Sequence, residues 1–325
     1  MARLTTSRSA ERTIRIGVSA CLLGEEVRFD GGHKRDDFLV DMLGPFVEFV
    51  TVCPELEAGL GVPRESLRLE RDGDRVKMIG NKSRTDRTAL MERFATRRTD
   101  ELDAEDLCGY VLKKNSPSCG MERVRIYANS GMPSRDGVGI FAAALMRRFP
   151  NLPIEEEGRL NDPRLRENFI ERIFAYRRLR SFFASRWTLG GLVGFHTAHK
   201  LVLMAHSPQA YSELGRFVAN AKQISRAEVR EHYIGNTMAA LSKPATRARH
   251  VNVLQHMAGY LREHLDSPAR AELAELIDDY RNGLVPLVVP LTMLRHYVHR
   301  FDIAYLRGQV YLDPHPKELM LRNHV

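Results

Sequence analysis

The chain has no run approaching the roughly 18 apolar residues that a membrane span needs, so no membrane contact is expected. It is short of cysteine: Cys21, Cys53, Cys108 and Cys119 are the four among 325 residues, and no two form a Cys-x-x-Cys pair. Four scattered thiols do not make a disulfide framework, and the missing close pair argues against the usual structural zinc site. The first nine residues carry no apolar core segment, so no secretory leader is expected and the cytoplasm is the expected location. There is no internal repeat and no low-complexity tract. What remains is an ordinary composition, 43% hydrophobic and 28% charged, enough for two domains with separate cores.

Residues 1–12 are polar and read as a loose segment. Residues 13–158 alternate strands with helices, which predicts an α/β, Rossmann-like domain with a mostly parallel sheet. The strands fall at about 13–19, 47–52, 108–112 and 152–155, with a hairpin over 66–70 and 75–79 around the Asp-Gly at 72–73. Helices are expected at about 36–43, 84–106 and 137–149. From residue 162 the texture changes, and 162–325 reads as an all-α domain. Helical patterns run over 163–186, 190–206, 208–221, 226–241, 244–265, 267–282 and 286–300. Asp162 before Pro163, and Ser267 before Pro268, look like N-caps followed by first-turn prolines. Lysine and arginine exceed aspartate and glutamate by 24 to 18 in residues 151–325, against 25 to 23 in residues 1–150. A basic second half suggests a polyanionic partner; a solvated arginine-rich surface is the plainer alternative.

Cys21, Cys53 and Cys119 each stand just past an apolar strand. If those strands are neighbours in one parallel sheet, the three thiols gather at its carboxyl edge, where open α/β sheets bind ligands. Gathered thiolates favour soft metals, zinc or an iron–sulfur cluster. Three separate thiolates suit a cubane with one iron lacking a protein ligand better than they suit zinc. The alternative is three buried, inert cysteines. Cys108 lies inside its strand and reads as a packed core thiol.

These residues carry a resemblance. Val18–Leu22, the Cys-Pro-Glu of 53–55 followed by Gly59, Leu60, Pro63 and Arg64, and Ser116–Gly120 resemble the thiouracil desulfurase family over about residues 13–155. Residues 194–206, 254–260 and 286–291 resemble the uncharacterised helical domain often fused behind it. The fused form is similar to bacterial desulfidases that convert 4-thiouridine in tRNA to uridine. The resemblance implies a [4Fe-4S] cluster held by Cys21, Cys53 and Cys119, with the fourth iron open to the thiocarbonyl sulfur. The family's glutamate and serine map onto Glu55 and Ser116.

Replacing C=S by C=O needs a sulfur acceptor, a water nucleophile and a proton shuttle. Glu55, held near the thiols by Pro54, is the candidate base and later acid. Its alternative is a salt-bridge partner. Ser116 can bond the base or relay a proton, or it can satisfy backbone groups in its turn. Arg28, Asp30, Lys113 and Lys114 are candidates for holding a uridine or its phosphate. No net electron moves. In the helical half, His196, His199 and His206 lack the carboxylate spacing of a zincin and read as packed groups or RNA contacts. Arg177, Arg178, Arg180, Arg186, Lys222, Arg226, Lys243, Arg247 and Arg249 are candidate phosphate contacts. The partner expected is thiolated tRNA or a thiouridine-type substrate. Competing readings are a desulfurase of free thiouracil or thionucleosides, a non-catalytic iron–sulfur RNA-binding or regulatory protein, and a zinc-stabilised domain.

Overall fold

A computed structural model of the chain describes residues 14–128 and 132–324. The chain divides after Gly158 into two compact units. In chain order the first contains β1 (Ile14–Ser19), β2 (Val47–Val52), β3 (Leu67–Asp72), β4 (Arg75–Gly80), α1 (Thr88–Asp103), β5 (Leu107–Leu112), β6 (Val124–Tyr127), β7 (Ser134–Gly137), α2 (Ile140–Arg148) and β8 (Ile154–Glu156).

Four of these strands form a wholly parallel sheet in the order β2-β1-β5-β8. Runs of isoleucine, valine and leucine make β1 and β5 its centre, and all six residues of β5 are buried. A parallel sheet covered on both faces needs such unbroken apolar strands. Tyr110 lies against β1 so closely that a Cβ on Gly17 would stand 2.1 Å from its ring. Cys108 is fully buried within β5.

A second sheet, order β4-β3-β6-β7, was not foreseen beyond its first hairpin. Its strands β6 and β7 are four residues each, and Ser134–Gly137 has no apolar alternation. The residues expected to begin a helix at 137 instead end β7, and α2 starts at Ile140. The helix expected over 84–106 is shorter at both ends. Arg84 and Asp106 take left-handed backbone conformations outside α1.

In the second unit α3 (Pro163–Ala184), α4 (Leu189–His206), α5 (Pro208–Asn220), α6 (Arg226–Leu241), α7 (Arg247–Tyr260), α8 (Ser267–Asn282), α9 (Val288–Arg300) and the short α10 (Ala304–Arg307) build one apolar core. Asp162 caps α3 by accepting from Arg164 N and Leu165 N. The cap of α8 is Asp266, one residue ahead of the expected Ser267; its carboxylate accepts from Ala269 N at 2.9 Å. Ser225 and Glu228 close a reciprocal capping box on α6. Among the described residues no helix is long and apolar enough to cross a membrane.

Candidate functional site

The carboxyl ends of β1, β2 and β5 open on a cavity of about 360 Å³, and Cys21, Cys53 and Cys119 all stand on its wall. Each is delivered by a different local device. After β1 the chain makes a single tight turn, Ala20–Leu23, closed by Gly24 at φ 96°. The Cys21 carbonyl in that turn accepts from Lys34 N at 2.8 Å. After β2, Cys53 N donates to Glu57 Oε1 at 2.8 Å, which fixes the exit of the strand. After β5 the loop is tied to β1, because Lys113 N donates to Ser19 Oγ at 3.0 Å.

The loop from Lys113 to Gly120 is built on its own polar groups. Ser116 Oγ accepts from Ser118 N at 3.2 Å and from Cys119 N at 3.1 Å. A Cβ on Gly120 would meet the Ser116 carbonyl at 2.8 Å, so the turn requires glycine there. The carbonyls of Pro117 and Ser118 accept from Ile140 N and Ala142 N at the start of α2. Satisfying the free N–H groups of a helix terminus in this way anchors the loop.

Glu55 is the hub of the opposite wall. Arg64 grips its Oε2 with two N–H groups, Nε at 2.9 Å and Nη2 at 2.7 Å. Ser118, fully buried, donates its hydroxyl to Oε1 at 2.7 Å. Arg64 also donates to the Val27 and Gly61 carbonyls. Positive φ angles at Gly59 and Gly61 turn the chain back so that Arg64 reaches Glu55.

The thiols affect one another. Burial pushes Cys21 up to about 11, with Lys113 opposing and Cys53 adding. Burial also raises Cys53, against the Leu56 N–H and Arg64. It raises Cys119 as well; the Ser19 hydroxyl opposes this, while Glu55, Cys21 and Cys53 add to it. Three thiols held protonated in one pocket become ligands only by exchanging protons for a metal. Among the described residues no three His, Cys, Asp or Glu side chains lie as close as one metal ion requires. In a multi-iron cluster each thiolate binds a different metal atom, and its ligands stand farther apart.

Residues 16–157 match the family model described as 2-thiouracil desulfurase, and residues 200–316 match one described as a protein of unknown function, DUF1722. A solved structure titled [4Fe-4S]-dependent thiouracil desulfidase TudS is 34% identical, covering 46% of this chain and 94% of that one, with a TM-score of 0.38. The first unit belongs to the 2-thiouracil desulfurase family. An uncharacterized protein of Escherichia coli (strain K12), YbgA, is 38% identical over 165 residues, which are 50% of this chain and 98% of that protein. Another, YbbK of Bacillus subtilis (strain 168), is 29% identical over 150 residues, covering 45% and 97%.

Within this desulfurase-family unit the candidate substrate residues separate. Arg28, Lys113 and Lys114 stand on the cavity wall with Glu55 and Ser116. Lys113 Nζ pairs with Glu157, whose other oxygen accepts from Lys114 N at 2.8 Å. Asp30 is not on the wall; it accepts from Gly32 N at 3.2 Å and pairs with Arg28 at 3.3 Å. The Gly32 N–H first, then Arg28, hold its carboxyl below the usual range. Ser19, Arg64 and Ser118 lay inside or beside the quoted motifs but were not assigned roles, because only the fold gives them partners.

Of the three candidate histidines, His199 and His206 are buried and His196 is half-buried. His196 meets Tyr233 Oη at 3.1 Å and His199 meets the Phe195 carbonyl at 2.8 Å. Several cations counted as phosphate contacts are also engaged within the unit. Arg178 donates to the Pro314 carbonyl, Arg249 donates to that of His206, and Arg226 lies 4.8 Å over Trp187.

Proposed function

We propose that the first unit is an iron–sulfur-dependent desulfidase that exchanges the sulfur of a thiolated uracil for oxygen, with 4-thiouridine in tRNA as its substrate. The observation that carries this reading is the meeting of three strand-end thiols and the Glu55–Arg64–Ser118 network on one cavity. The donor set fits a cluster: two buried thiols and a half-buried one on one cavity wall, with arginine and lysine side chains nearby to offset thiolate charge. A [4Fe-4S] cluster held by Cys21, Cys53 and Cys119 supplies, when bound, an electron-poor iron with affinity for soft thiocarbonyl sulfur. The sheet reads as Rossmann-like, its order turning back at β1, with the cavity outside the strand ends.

The protein's own part is proton handling. A carboxylate oxygen has about two acceptor sites. Both on Oε2 are filled by Arg64, and one on Oε1 is filled by Ser118. The remaining site on Oε1 is where Glu55 takes the proton of the attacking water. The balance is C=S plus water giving C=O plus hydrogen sulfide, with no electron transferred. Ser116 accepts two backbone N–H groups, which leaves its own hydroxyl hydrogen to donate to the base. Arg28, Lys113 and Lys114 position the nucleotide, with Asp30 orienting Arg28.

A second cleft of about 610 Å³ shares Leu67, Asn115 and Pro117 with the cavity and carries Arg68, Arg125 and Arg135. This basic extension, with the net positive helical unit, favours a phosphate-bearing substrate over a free base. The solved relative is titled a thiouracil desulfidase, and that favours the free base as the second reading. Anaerobic purification, iron counting and sulfide assays on thiolated tRNA, 4-thiouridine and 2-thiouracil decide between them. Sulfide from tRNA that falls steeply with added salt supports the leading reading; sulfide from 2-thiouracil alone refutes it. Glu55→Gln is expected to keep the cluster absorbance and lose turnover.

A further inference from the structure

The helical unit contains a cavity of about 190 Å³ that the desulfuration chemistry does not use. A water occupies about 30 Å³ of liquid, so the space matches about six waters. It lies where α3 and α7 begin, and each supplies an arginine from its first turn, Arg164 and Arg247. Both helix N-termini bring positive partial charge to the same space.

The wall also contains two carboxylates, each with partners of its own. Glu171 Oε2 faces His206 Nε2 at 3.2 Å, and its Oε1 lies 3.8 Å from Arg322. Glu167 takes Arg322 Nε at 3.2 Å and lies 3.5 Å from His324. The second His206 nitrogen faces the Lys243 carbonyl at 2.7 Å. Arg322 and His206 thus lie against the two carboxylates, and Arg164 and Arg247 are paired with neither. Among the described residues neither of these arginines has an ion-paired carboxylate.

Two buried donors complete the set. His250, 8% exposed, lines the cavity and meets Tyr311 Oη through Nδ1 at 2.7 Å. The fully buried Tyr311 hydroxyl has no other acceptor among the described residues, so it donates to Nδ1 and the His250 hydrogen sits on Nε2. That Nε2–H has no protein acceptor among the described residues. Tyr280, 6% exposed, lines the same cavity, and its hydroxyl likewise has none. Both residues line the cavity without a protein acceptor for these groups, and a ligand oxygen in it would satisfy both.

We propose that this cavity is an oxyanion site for a phosphomonoester or inorganic phosphate, held by Arg164, Arg247, His250 Nε2–H and the Tyr280 hydroxyl. Glu167 is compatible with an anionic neighbour. Burial, opposed by Arg322 and reinforced by Glu171, pushes it up to about 7, so it can carry a proton and donate it.

The test is binding of inorganic phosphate to the full chain by equilibrium dialysis and calorimetry. Saturable 1:1 binding is expected, weakened about tenfold by Arg164→Gln or by Arg247→Gln. Both variants should leave the far-UV circular dichroism spectrum unchanged. Absence of saturable binding, or binding that both variants leave intact, overturns the proposal. If a variant fails to fold, the wild-type chain decides. Phosphate, compared with chloride at equal ionic strength, should raise the melting transition reported by Trp187, and an unchanged transition overturns the site. A 5′-phosphorylated oligoribonucleotide that displaces phosphate where its 5′-hydroxyl counterpart does not identifies an RNA terminus as the source. Displacement by neither identifies free phosphate.

Discussion

Removing the cation behind Glu55 is the most direct test of the candidate site. Arg64 and Glu55 are 7% and 14% exposed at their side chains and joined by two short hydrogen bonds. Arg64→Met keeps most of the volume and deletes the charge, leaving the carboxylate with Ser118 alone. Breaking a buried pair from one side costs about 3–5 kcal/mol, most of it the penalty for the stranded charge. Glu55→Gln strands Arg64 instead. That guanidinium keeps its bonds to the Val27 and Gly61 carbonyls, so the cost should be nearer 2 kcal/mol. The double variant strands neither, and should be destabilised by at least about 1.5 kcal/mol less than the singles together. Urea unfolding followed by far-UV circular dichroism measures the cycle. The chain's one tryptophan, Trp187, lies in the helical unit, so its fluorescence identifies the transition that should not move. A coupling below about 0.5 kcal/mol, or a loss confined to the Trp187 transition, would show that the pair does not hold the site together.

Cys21→Ser, Cys53→Ser and Cys119→Ser should each lose the iron content and visible absorbance of an anaerobically reconstituted protein, whereas Cys108→Ala should keep both; equal loss in all four would end the ligand assignment. Gly17→Ala forces a methyl to 2.1 Å from the buried Tyr110 ring, and should cost about 3 kcal/mol in a urea melt, partly recovered with Tyr110→Leu. In the helical unit burial holds His199 and His250 down to about 3, and His315 down to about 4. The unfolded chain therefore binds more protons below pH 6.5, and stability falls as pH drops. Glu167, raised to about 7, opposes one of these three between pH 4.5 and 7. A net loss of two protons' worth, about 2.7 kcal/mol per pH unit, is expected from pH 6 to 4.5. A Trp187 urea midpoint that stays flat or rises over that range would contradict it.

Apolar strands leading into a cysteine-bearing loop made β1, β2 and β5 legible; burial on both faces of the parallel sheet leaves a strong hydrophobic signature in β1 and β5. The strands β6 and β7 had no such signature. Val124–Tyr127 alternates with arginine over only four residues, and Ser134–Gly137 is polar and pairs with it through an irregular register. Motif spacing could point to Glu55 but not to its partners. Arg64 reaches it only because two glycines with positive φ turn the chain back, and that is a property of dihedral angles.

The two serines of the third motif show the same limit more sharply. Ser116 and Ser118 are both hydroxyls in one tight turn, and nothing in the local sequence distinguishes them. In the fold the first accepts two backbone N–H groups and the second lies buried against the carboxylate. Two residues apart in the turn, Ser116 shapes the loop and Ser118 touches Glu55. If Glu55 moves a proton at Oε1, then Ser118 sets which lone pair is left for it. Ser116 holds the Cys119 amide that fixes the thiol beside it. One short motif thus serves two purposes at once: it places the thiol proposed as a cluster ligand, and it orients the carboxylate proposed as the base on another loop.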